Sequence, residues 1–312
     1  MDKKRSKIAI IGAGSVGASV AFSIAMKNLV SELVIIDVNK EKAEGEALDI
    51  SHGLSALGEM DVYSGDYCDV KDANIIIVAA GVGRKPGETR LDLAKKNVSI
   101  IKDITKNIME HYNGGVIMAV SNPVDVVTYV IQKESKLPKG MVFGTGAALD
   151  SARFRWLLAK KLNVNVKNVH GFIAGEHGDS QFAVWSGVNV GGMPLDDYCK
   201  EHNIEIDKDQ LEHEVIYSGA EVIKRKGATY YAIASVVVRI SEFILKDQQA
   251  ISHTSNILEG EYGISDLCLS LPNIMGINGI EKDIKFHFTD EEIAKLHKSA
   301  AAIRAILDNV EI

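Results

Sequence analysis

The first half of the chain contains four short apolar runs that do not alternate with polar residues: residues 8–11, 33–36, 75–80 and 116–120. Such unbroken runs are typical of strands that are buried on both faces of a parallel sheet. A helix is predicted between the first two runs, at residues 15–28, with these apolar residues on one face: Val16, Val20, Ile24 and Leu29. Strand–helix–strand repeats predict an α/β fold with an open, doubly wound parallel sheet.

The pattern changes after about Thr145, where turn residues become frequent between apolar segments. Three helices are predicted at residues 147–162, 210–226 and 229–245, and a C-terminal helix begins at the capping box of Thr289 and Glu292. Shorter strands are predicted at residues 184–190 and 267–274. At roughly 150 residues per domain, the chain divides into a nucleotide-binding domain, 1–145, and an α+β substrate domain, 146–312.

Composition and charge narrow the function classes. Of the 312 residues, 46% are hydrophobic and 25% are charged, which excludes a disordered chain. The net charge of −7, without a block of Lys or Arg, argues against a nucleic acid or an anionic membrane as partner. No apolar run is long enough to span a bilayer. Three scattered cysteines, without a C-x-x-C pair, are typical of reduced thiols in a soluble cytoplasmic protein and predict neither disulfides nor a metal site.

A glycine motif follows the first predicted strand and begins the first predicted helix: Gly12-x-Gly14-x-x-Gly17. Its glycines permit a tight turn, the approach of a pyrophosphate to the backbone, and close packing of helix on strand. Asp37, at the end of the next strand, would accept hydrogen bonds from ribose hydroxyls and repel a 2′-phosphate. The motif therefore predicts a Rossmann domain that binds NAD rather than NADP, and a ligand-free glycine turn is the alternative.

Polar residues follow later strands, at the edge where open α/β sheets bind ligands. They lie in the segments 81–90, 121–125 and 175–180, and the last of these places His177 between glycines. Asp150 and Arg153 are three residues apart and share one face of a predicted helix. Together these groups predict a catalytic site beside the dinucleotide.

These motifs, in this order and spacing, resemble those of the L-lactate/malate dehydrogenase family along the whole chain. The resemblance implies hydride transfer between a nicotinamide and C2 of a 2-keto or 2-hydroxy acid. It implies that His177 is the acid–base residue, that Asp150 orients its ring, and that Arg153 binds the substrate carboxylate through two hydrogen bonds. Arg90 would polarise the carbonyl as its loop closes.

The resemblance also implies further contacts. Asn122, Asp125 and Thr229 match positions that contact the substrate. The following residues match positions that contact the cofactor, in addition to the glycines and Asp37: Val16, Lys42, Tyr67, Gly81, Val82, Val120, Asn122 and Thr145.

The choice of keto acid depends on few residues. Glu176 before His177, the segment 87–93 and Thr229 are of the lactate type, whereas Arg84 matches the malate type, in which an arginine pairs with the second carboxylate of oxaloacetate. An unpaired buried guanidinium would be costly, but Arg84 on a loop could turn to solvent. We therefore expect an L-lactate dehydrogenase, with a malate dehydrogenase as the alternative and a non-catalytic NAD sensor as a remote one.

Arg155 and His170 predict regulation. Arg155 is two residues beyond Arg153, so on a helix it points about 200° around, away from the active site. The resemblance implies that residues at these two positions bind fructose 1,6-bisphosphate between subunits of a homotetramer. Phosphates would neutralise cations that otherwise repel each other across the interface.

Overall fold

A computed structural model describes residues 6–83 and 90–312 of the chain. The predicted substrate residue Arg84 lies outside these residues. Arg90 is described as the first residue of a helix, but its side chain is not among the described parts.

Strands and helices alternate in the first half, as predicted. The elements are β1 (Lys7–Ile11), α1 (Ser15–Met26), β2 (Glu32–Ile36), α2 (Lys40–Leu57), β3 (Asp61–Ser64), β4 (Ile75–Val78), α3 (Arg90–His111), β5 (Val116–Ala119), α4 (Val124–Ser135) and β6 (Val142–Gly144). Their six strands are parallel, in the order β3-β2-β1-β4-β5-β6. The order reverses between β1 and β4, which is where a doubly wound sheet opens a crevice at its carboxyl edge.

The second half mixes helices with antiparallel strands. The elements are α5 (Ala148–Leu162), β7 (Val169–His170), β8 (Ile173–Ala174), β9 (Phe182–Ala183), β10 (Asn189–Val190), β11 (Met193–Pro194), α6 (Leu195–His202), α7 (Lys208–Lys226), α8 (Tyr231–Leu245), β12 (Ala250–Glu259), β13 (Ser265–Gly276), β14 (Gly279–Asp283) and α9 (Asp290–Leu307). The capping box that was predicted at the start of α9 is present, with both of its hydrogen bonds.

The main sheet continues beyond the parallel strands. Strand β12 pairs antiparallel with β6 through Ser255 and Gly144, and β13 and β14 follow at the outer edge, so the described part of the chain places nine strands in one sheet. The C-terminal half is thereby joined to the nucleotide-binding sheet by backbone hydrogen bonds.

Two strand predictions need correction. Residues 184–190 do not form a strand, because Trp185–Gly187 is a 3₁₀ turn and only Asn189–Val190 pairs as β10. Residues 267–274 belong to β13, which extends over 12 residues and is therefore not a short strand.

Both faces of the parallel strands are buried, as the unbroken apolar runs predicted. In β1, Ile10 belongs to the apolar cluster that includes residues of α1, α2 and α8, whereas Ile11 belongs to the cluster that includes residues of α3, α4 and α9. Both side chains are at most 2% exposed. Among the described residues, no helix combines the length and the apolar character that crossing a membrane requires.

Candidate active site

The glycine turn after β1 is packed tightly against its neighbours. Gly12 has φ +111°, and a Cβ there would lie 2.7 Å from the backbone nitrogen of Ala80, after β4. A Cβ on Gly17 would lie 1.8 Å from the carbonyl oxygen of Gly12. By contrast, a Cβ on Gly14 would meet no heavy atom within 4 Å, so this glycine faces open space at the start of α1. Neighbouring backbone atoms therefore leave no room for a side chain at Gly12 or Gly17, whereas the space beside Gly14 is open to a ligand.

Asp37 lies beside this turn at the end of β2. Its carboxylate accepts hydrogen bonds from the backbone N–H of Ala13, at 2.6 Å, and of Asn39, at 2.8 Å. Burial, together with the nearby charge of Asp37, raises the pKa of the Tyr67 hydroxyl above its ordinary value. Lys42 is exposed in the first turn of α2, where its backbone N–H donates to Asn39. Asp37 therefore contacts the glycine turn directly, whereas Tyr67 lies near Asp37 and Lys42 is joined to it through Asn39.

These features fit NAD. Gly14 has no side chain to cap α1, so within the described chain the first N–H groups of this helix have no side-chain acceptor and can meet a pyrophosphate. Val16 is partly buried in that first turn. Asp37 retains lone pairs beyond its two backbone contacts, and these can accept hydrogen bonds from the ribose hydroxyls.

The remaining predicted cofactor residues lie at the same edge of the sheet. Gly81 and Val82 follow β4, Val120 and Asn122 follow β5, and Thr145 follows β6. The carboxyl ends of three neighbouring strands thus continue the crevice that begins at the glycine turn.

Asn97, which sequence reasoning missed, joins two of these segments. Its Oδ1 accepts the N–H of Val82 at 2.9 Å, and its Nδ2 donates to the carbonyl oxygens of Val82, at 3.1 Å, and Asn122, at 2.6 Å. Asn97 is 1% exposed and lies between the buried residues Ala94 and Val98 of α3. The sequence signal that could have identified Asn97 is a polar residue on the apolar face of a helix.

Three of the four predicted catalytic residues, His177, Asp150 and Arg153, meet around one carboxylate, and the side chain of the fourth, Arg90, lies outside the described parts. Asp150 is 1% exposed on α5; its Oδ2 lies 2.6 Å from His177 Nδ1, and its Oδ1 accepts a hydrogen bond of 2.9 Å from Arg153 Nη1. Burial opposes the charged imidazole, but the Asp150 carboxylate outweighs it and raises the pKa of His177 above its ordinary value. For Asp150, burial is likewise outweighed, by His177 and then Arg153, so the pKa of its carboxyl is lowered.

Asp125 contacts the backbone of His177, and its contact with the substrate stays a prediction. It is 2% exposed on α4, and its Oδ2 accepts the backbone N–H of His177 at 2.7 Å. Its Oδ1 accepts the hydroxyl of Ser255 at 2.5 Å. Burial raises the pKa of Asp125 to about 6, although both hydrogen bonds oppose this shift. Asp125 therefore links the backbone of the His177 loop to the Ser255 hydroxyl.

The other predicted residues that the structure describes lie on several different segments. Asn122 is exposed after β5, and Thr229 is partly buried between α7 and α8. Arg155 does not share the contact of Arg153 with Asp150; its Nη1 donates to the carbonyl oxygen of Gly171 at 3.1 Å. His170 is exposed at the end of β7.

This arrangement can exchange a proton. A quarter of the His177 side chain is exposed, and Asp150 occupies its Nδ1, so Nε2 is the nitrogen that remains for a substrate oxygen. Arg153 is 17% exposed, and it can use its remaining donors for a carboxylate. The site can therefore bind a carboxylate and exchange a proton with an adjacent oxygen, beside a nicotinamide crevice.

Comparison with known proteins gives matches along nearly the whole chain. The family model of the lactate/malate dehydrogenase NAD binding domain matches residues 6–144, and that of the alpha/beta C-terminal domain matches residues 147–311. The L-lactate dehydrogenase of Thermoanaerobacter sp. (strain X514) is 45% identical over 310 residues, which cover 98% of this chain and 100% of that protein. That of Acetivibrio thermocellus is 43% identical over 314 residues, which cover 100% and 99%.

Solved structures of proteins from the same family also match this chain along nearly its whole length. The minor L-lactate dehydrogenase of Enterococcus mundtii, in a ligand-bound form, superposes with a TM-score of 0.95 at 43% identity and covers 98% of this chain and 99% of that one. The L-lactate dehydrogenase of Clostridium thermocellum has a TM-score of 0.89 at 49% identity and covers 99% and 100%. With both family models matched and relatives above 40% identity over its full length, the chain belongs to the lactate/malate dehydrogenase family.

Proposed function

We propose that the chain is an NAD-dependent L-lactate dehydrogenase, which interconverts pyruvate and L-lactate. The observation that carries the proposal is the run of contacts from Arg153 through Asp150 to His177, beside a crevice that fits NAD. Residues 1–145 would bind the cofactor and 146–312 the substrate. The cytoplasm is the proposed location, since Cys68, Cys199 and Cys268 are all unpaired thiols.

Each polar group has a proposed role in pyruvate reduction. Arg153 binds the carboxylate, and protonated His177 donates its Nε2 proton to the keto oxygen while Asp150 stabilises the imidazolium. The chemistry that bound NADH supplies is a hydride for C2. Arg90, whose side chain lies outside the described part of the chain, would polarise the carbonyl, and Asn122 would hydrogen-bond the same oxygen. In the reverse direction, neutral His177 takes the proton from lactate.

Pyruvate is favoured over oxaloacetate because the relatives compared above are named L-lactate dehydrogenases, and because Glu176, residues 87–93 and Thr229 are of the lactate type. The test is NADH oxidation with each keto acid, compared as kcat/KM. A higher value for pyruvate supports the proposal, whereas a higher value for oxaloacetate would establish the malate alternative. Absence of turnover with both, despite NADH binding, would establish a sensor.

Arg84 gives a prediction about this selectivity. In the Arg84→Gln variant, we expect kcat/KM for oxaloacetate to fall roughly a hundredfold relative to that for pyruvate, because only the dicarboxylate can pair with this charge. Steady-state NADH oxidation by both forms measures the ratio. An unchanged ratio would mean that Arg84 does not face the substrate.

Regulation by fructose 1,6-bisphosphate in a homotetramer is the second part of the proposal. Arg155 is held by Gly171, and burial lowers the pKa of its guanidinium, which marks a partly desolvated charge that a phosphate would stabilise. His170 is exposed near the same backbone segment and could join an anion site at a subunit contact.

We expect the sugar bisphosphate to lower the half-saturating pyruvate concentration and to favour the tetramer in sedimentation. Arg155→Gln and His170→Ala should each abolish this response and leave NADH binding intact, because neither residue is among those predicted to contact the cofactor. The same substitution at an exposed histidine, His297→Ala on α9, is the control. Identical pyruvate titrations of the unsubstituted enzyme with and without the sugar bisphosphate, with an unchanged oligomer, would contradict the proposal.

A further inference from the structure

Two serines face each other on the neighbouring strands β12 and β13 of the main sheet. Ser255 of β12 and Ser270 of β13 are directly opposed in the antiparallel ladder, so their side chains project from the same face of the sheet. Both residues are 0% exposed. The turn that leads into α5 crosses directly over them: a Cβ on Gly146 would lie 2.3 Å from Ser270 Oγ and 3.1 Å from Ser255 Cβ. We call these two residues the serine pair.

Ser270 holds two catalytic segments at once. Its Oγ accepts the backbone N–H of Ala147 at 2.9 Å, three residues before Asp150. Its backbone exchanges two hydrogen bonds with Gly175, at 3.0 and 2.9 Å, two residues before His177. One buried residue therefore connects the start of the helix that carries the aspartate to the loop that carries the histidine.

Ser255 reaches the same histidine by a second route. Its hydroxyl donates to Asp125 Oδ1 at 2.5 Å, and Asp125 Oδ2 accepts the backbone N–H of His177 at 2.7 Å. Ser255 is itself fixed in position, because it pairs with Gly144 of β6 as well as with Ser270. The hydrogen bond to Asp125 directs its carboxylate and also favours the ionised form.

We propose that the serine pair positions the Asp150–His177 contact and thereby determines the proton affinity of His177. The inference rests on the proposed function, since it treats His177 as the acid–base residue. Neither serine side chain contacts Asp150 or His177, so their effect on the reaction is indirect. A contact of 2.6 Å between Asp150 Oδ2 and His177 Nδ1 is sensitive to small movements of either segment.

The charged groups around His177 determine the direction of the expected change. Asp150 and Arg153 face it from α5, and Asp125 faces it from α4. Asp125 is itself influenced by the neighbouring carboxylate of Glu176. Both aspartates raise the pKa of His177, so a weaker interaction with either one lowers it.

Each serine acts on a different aspartate. Ser255→Ala removes one of the donors that favour the ionised form of Asp125, so the pKa of Asp125 should rise further and a smaller fraction of this carboxyl should be charged at neutral pH. Ser270→Ala releases Ala147 and lengthens the Asp150–His177 contact. Both changes should lower the pKa of His177.

The experiment is an NMR titration of histidine-labelled protein, in which the His177 resonance is assigned by its absence from the His177→Asn variant. We expect the pKa of His177 to fall by roughly one unit in Ser255→Ala and in Ser270→Ala. The kcat/KM for pyruvate should fall about tenfold to a hundredfold. Ser241→Ala is the matched control, because it removes an equally buried hydroxyl that donates to Val237 within α8; it should change neither quantity.

The titration measures the pKa of His177 without turnover. Its result therefore tests the serine-pair inference independently of the proposed dehydrogenase function. An unchanged pKa of His177 in both variants would overturn the inference, whatever the activity. A lowered pKa together with no turnover of either keto acid by the unsubstituted enzyme would support the serine pair and contradict the dehydrogenase assignment. If Ser270→Ala does not fold, Ser270→Cys is the alternative, because cysteine is similar in size to serine and its sulfur is a weaker acceptor. Ser255→Ala then tests the route through Asp125 by itself.

Discussion

Replacing His177 with asparagine should reduce pyruvate turnover by about a thousandfold, which is within the range that a positioned proton donor contributes. Asparagine lacks a group that titrates near neutral pH, so the keto oxygen receives its proton only from water. NADH affinity should remain nearly unchanged, since the glycine turn and Asp37 are on the cofactor side of the crevice. Steady-state kinetics and fluorescence titration with NADH measure the two quantities.

A histidine outside the site provides the control. His297 is exposed on α9, and His297→Asn should leave both turnover and NADH affinity unchanged. If His177→Asn retained the turnover of the unsubstituted enzyme, another group would be the acid–base residue, and the central role of the Asp150–His177 contact would be wrong.

The sequence predicts the parallel half of the fold because its signals are local. Unbroken apolar runs identify β1, β2, β4 and β5, and the glycine spacing with Asp37 identifies the NAD crevice. Each signal lies within about 20 to 30 residues, which is the extent of one βαβ unit. Right-handed crossovers restrict how these strands can be arranged, but the order itself is known from the structure.

The antiparallel extension could not be predicted in the same way. Strand β12 contains five consecutive polar residues, 252–256, and this segment has no apolar pattern that predicts a strand. In the structure, four of the five are buried, because the neighbouring strands and Asp125 supply their partners, as for Thr254 with Asn273. Conversely, the apolar run from Val184 is interrupted by the turn Trp185–Gly187. Tertiary pairing overrides local pattern in both segments.

The candidate site shows the same contrast between local sequence signals and contacts that are distant in sequence. The residues that are predicted to contact ligands lie in short motifs, whereas the residues that hold those motifs in place are distant in sequence. Ser270 contacts Gly175 from 95 positions away, and Ser255 contacts Asp125 from 130 positions away. Nothing in a serine on a strand indicates such a role until the strands are paired.

Replacing Asp150 with asparagine should lower kcat/KM for pyruvate by roughly a hundredfold, less than the loss of His177 itself, because the proton donor remains but is poorly ionised. The Asp150 carboxylate raises the pKa of His177, so its removal lowers that pKa. Pyruvate reduction requires the protonated ring, and its rate falls as pH rises through the pKa of His177. In Asp150→Asn this fall should therefore occur at lower pH, and the deficit should shrink as the assay is made more acidic.

The pH dependence of kcat/KM for pyruvate measures this shift, with Asp308→Asn as the control, since Asp308 is exposed at the end of α9. The variant should also raise KM, because Arg153 loses the carboxylate that holds its guanidinium in place. Lactate oxidation should show the opposite pH dependence, because it requires neutral His177. The lower pKa of His177 in Asp150→Asn should therefore extend the pH range of lactate oxidation toward acid pH. A pH limb at the same position in Asp150→Asn and in the unsubstituted enzyme would mean that Asp150 does not determine the ionisation of His177. The roughly hundredfold loss would then have to come from misplaced groups alone.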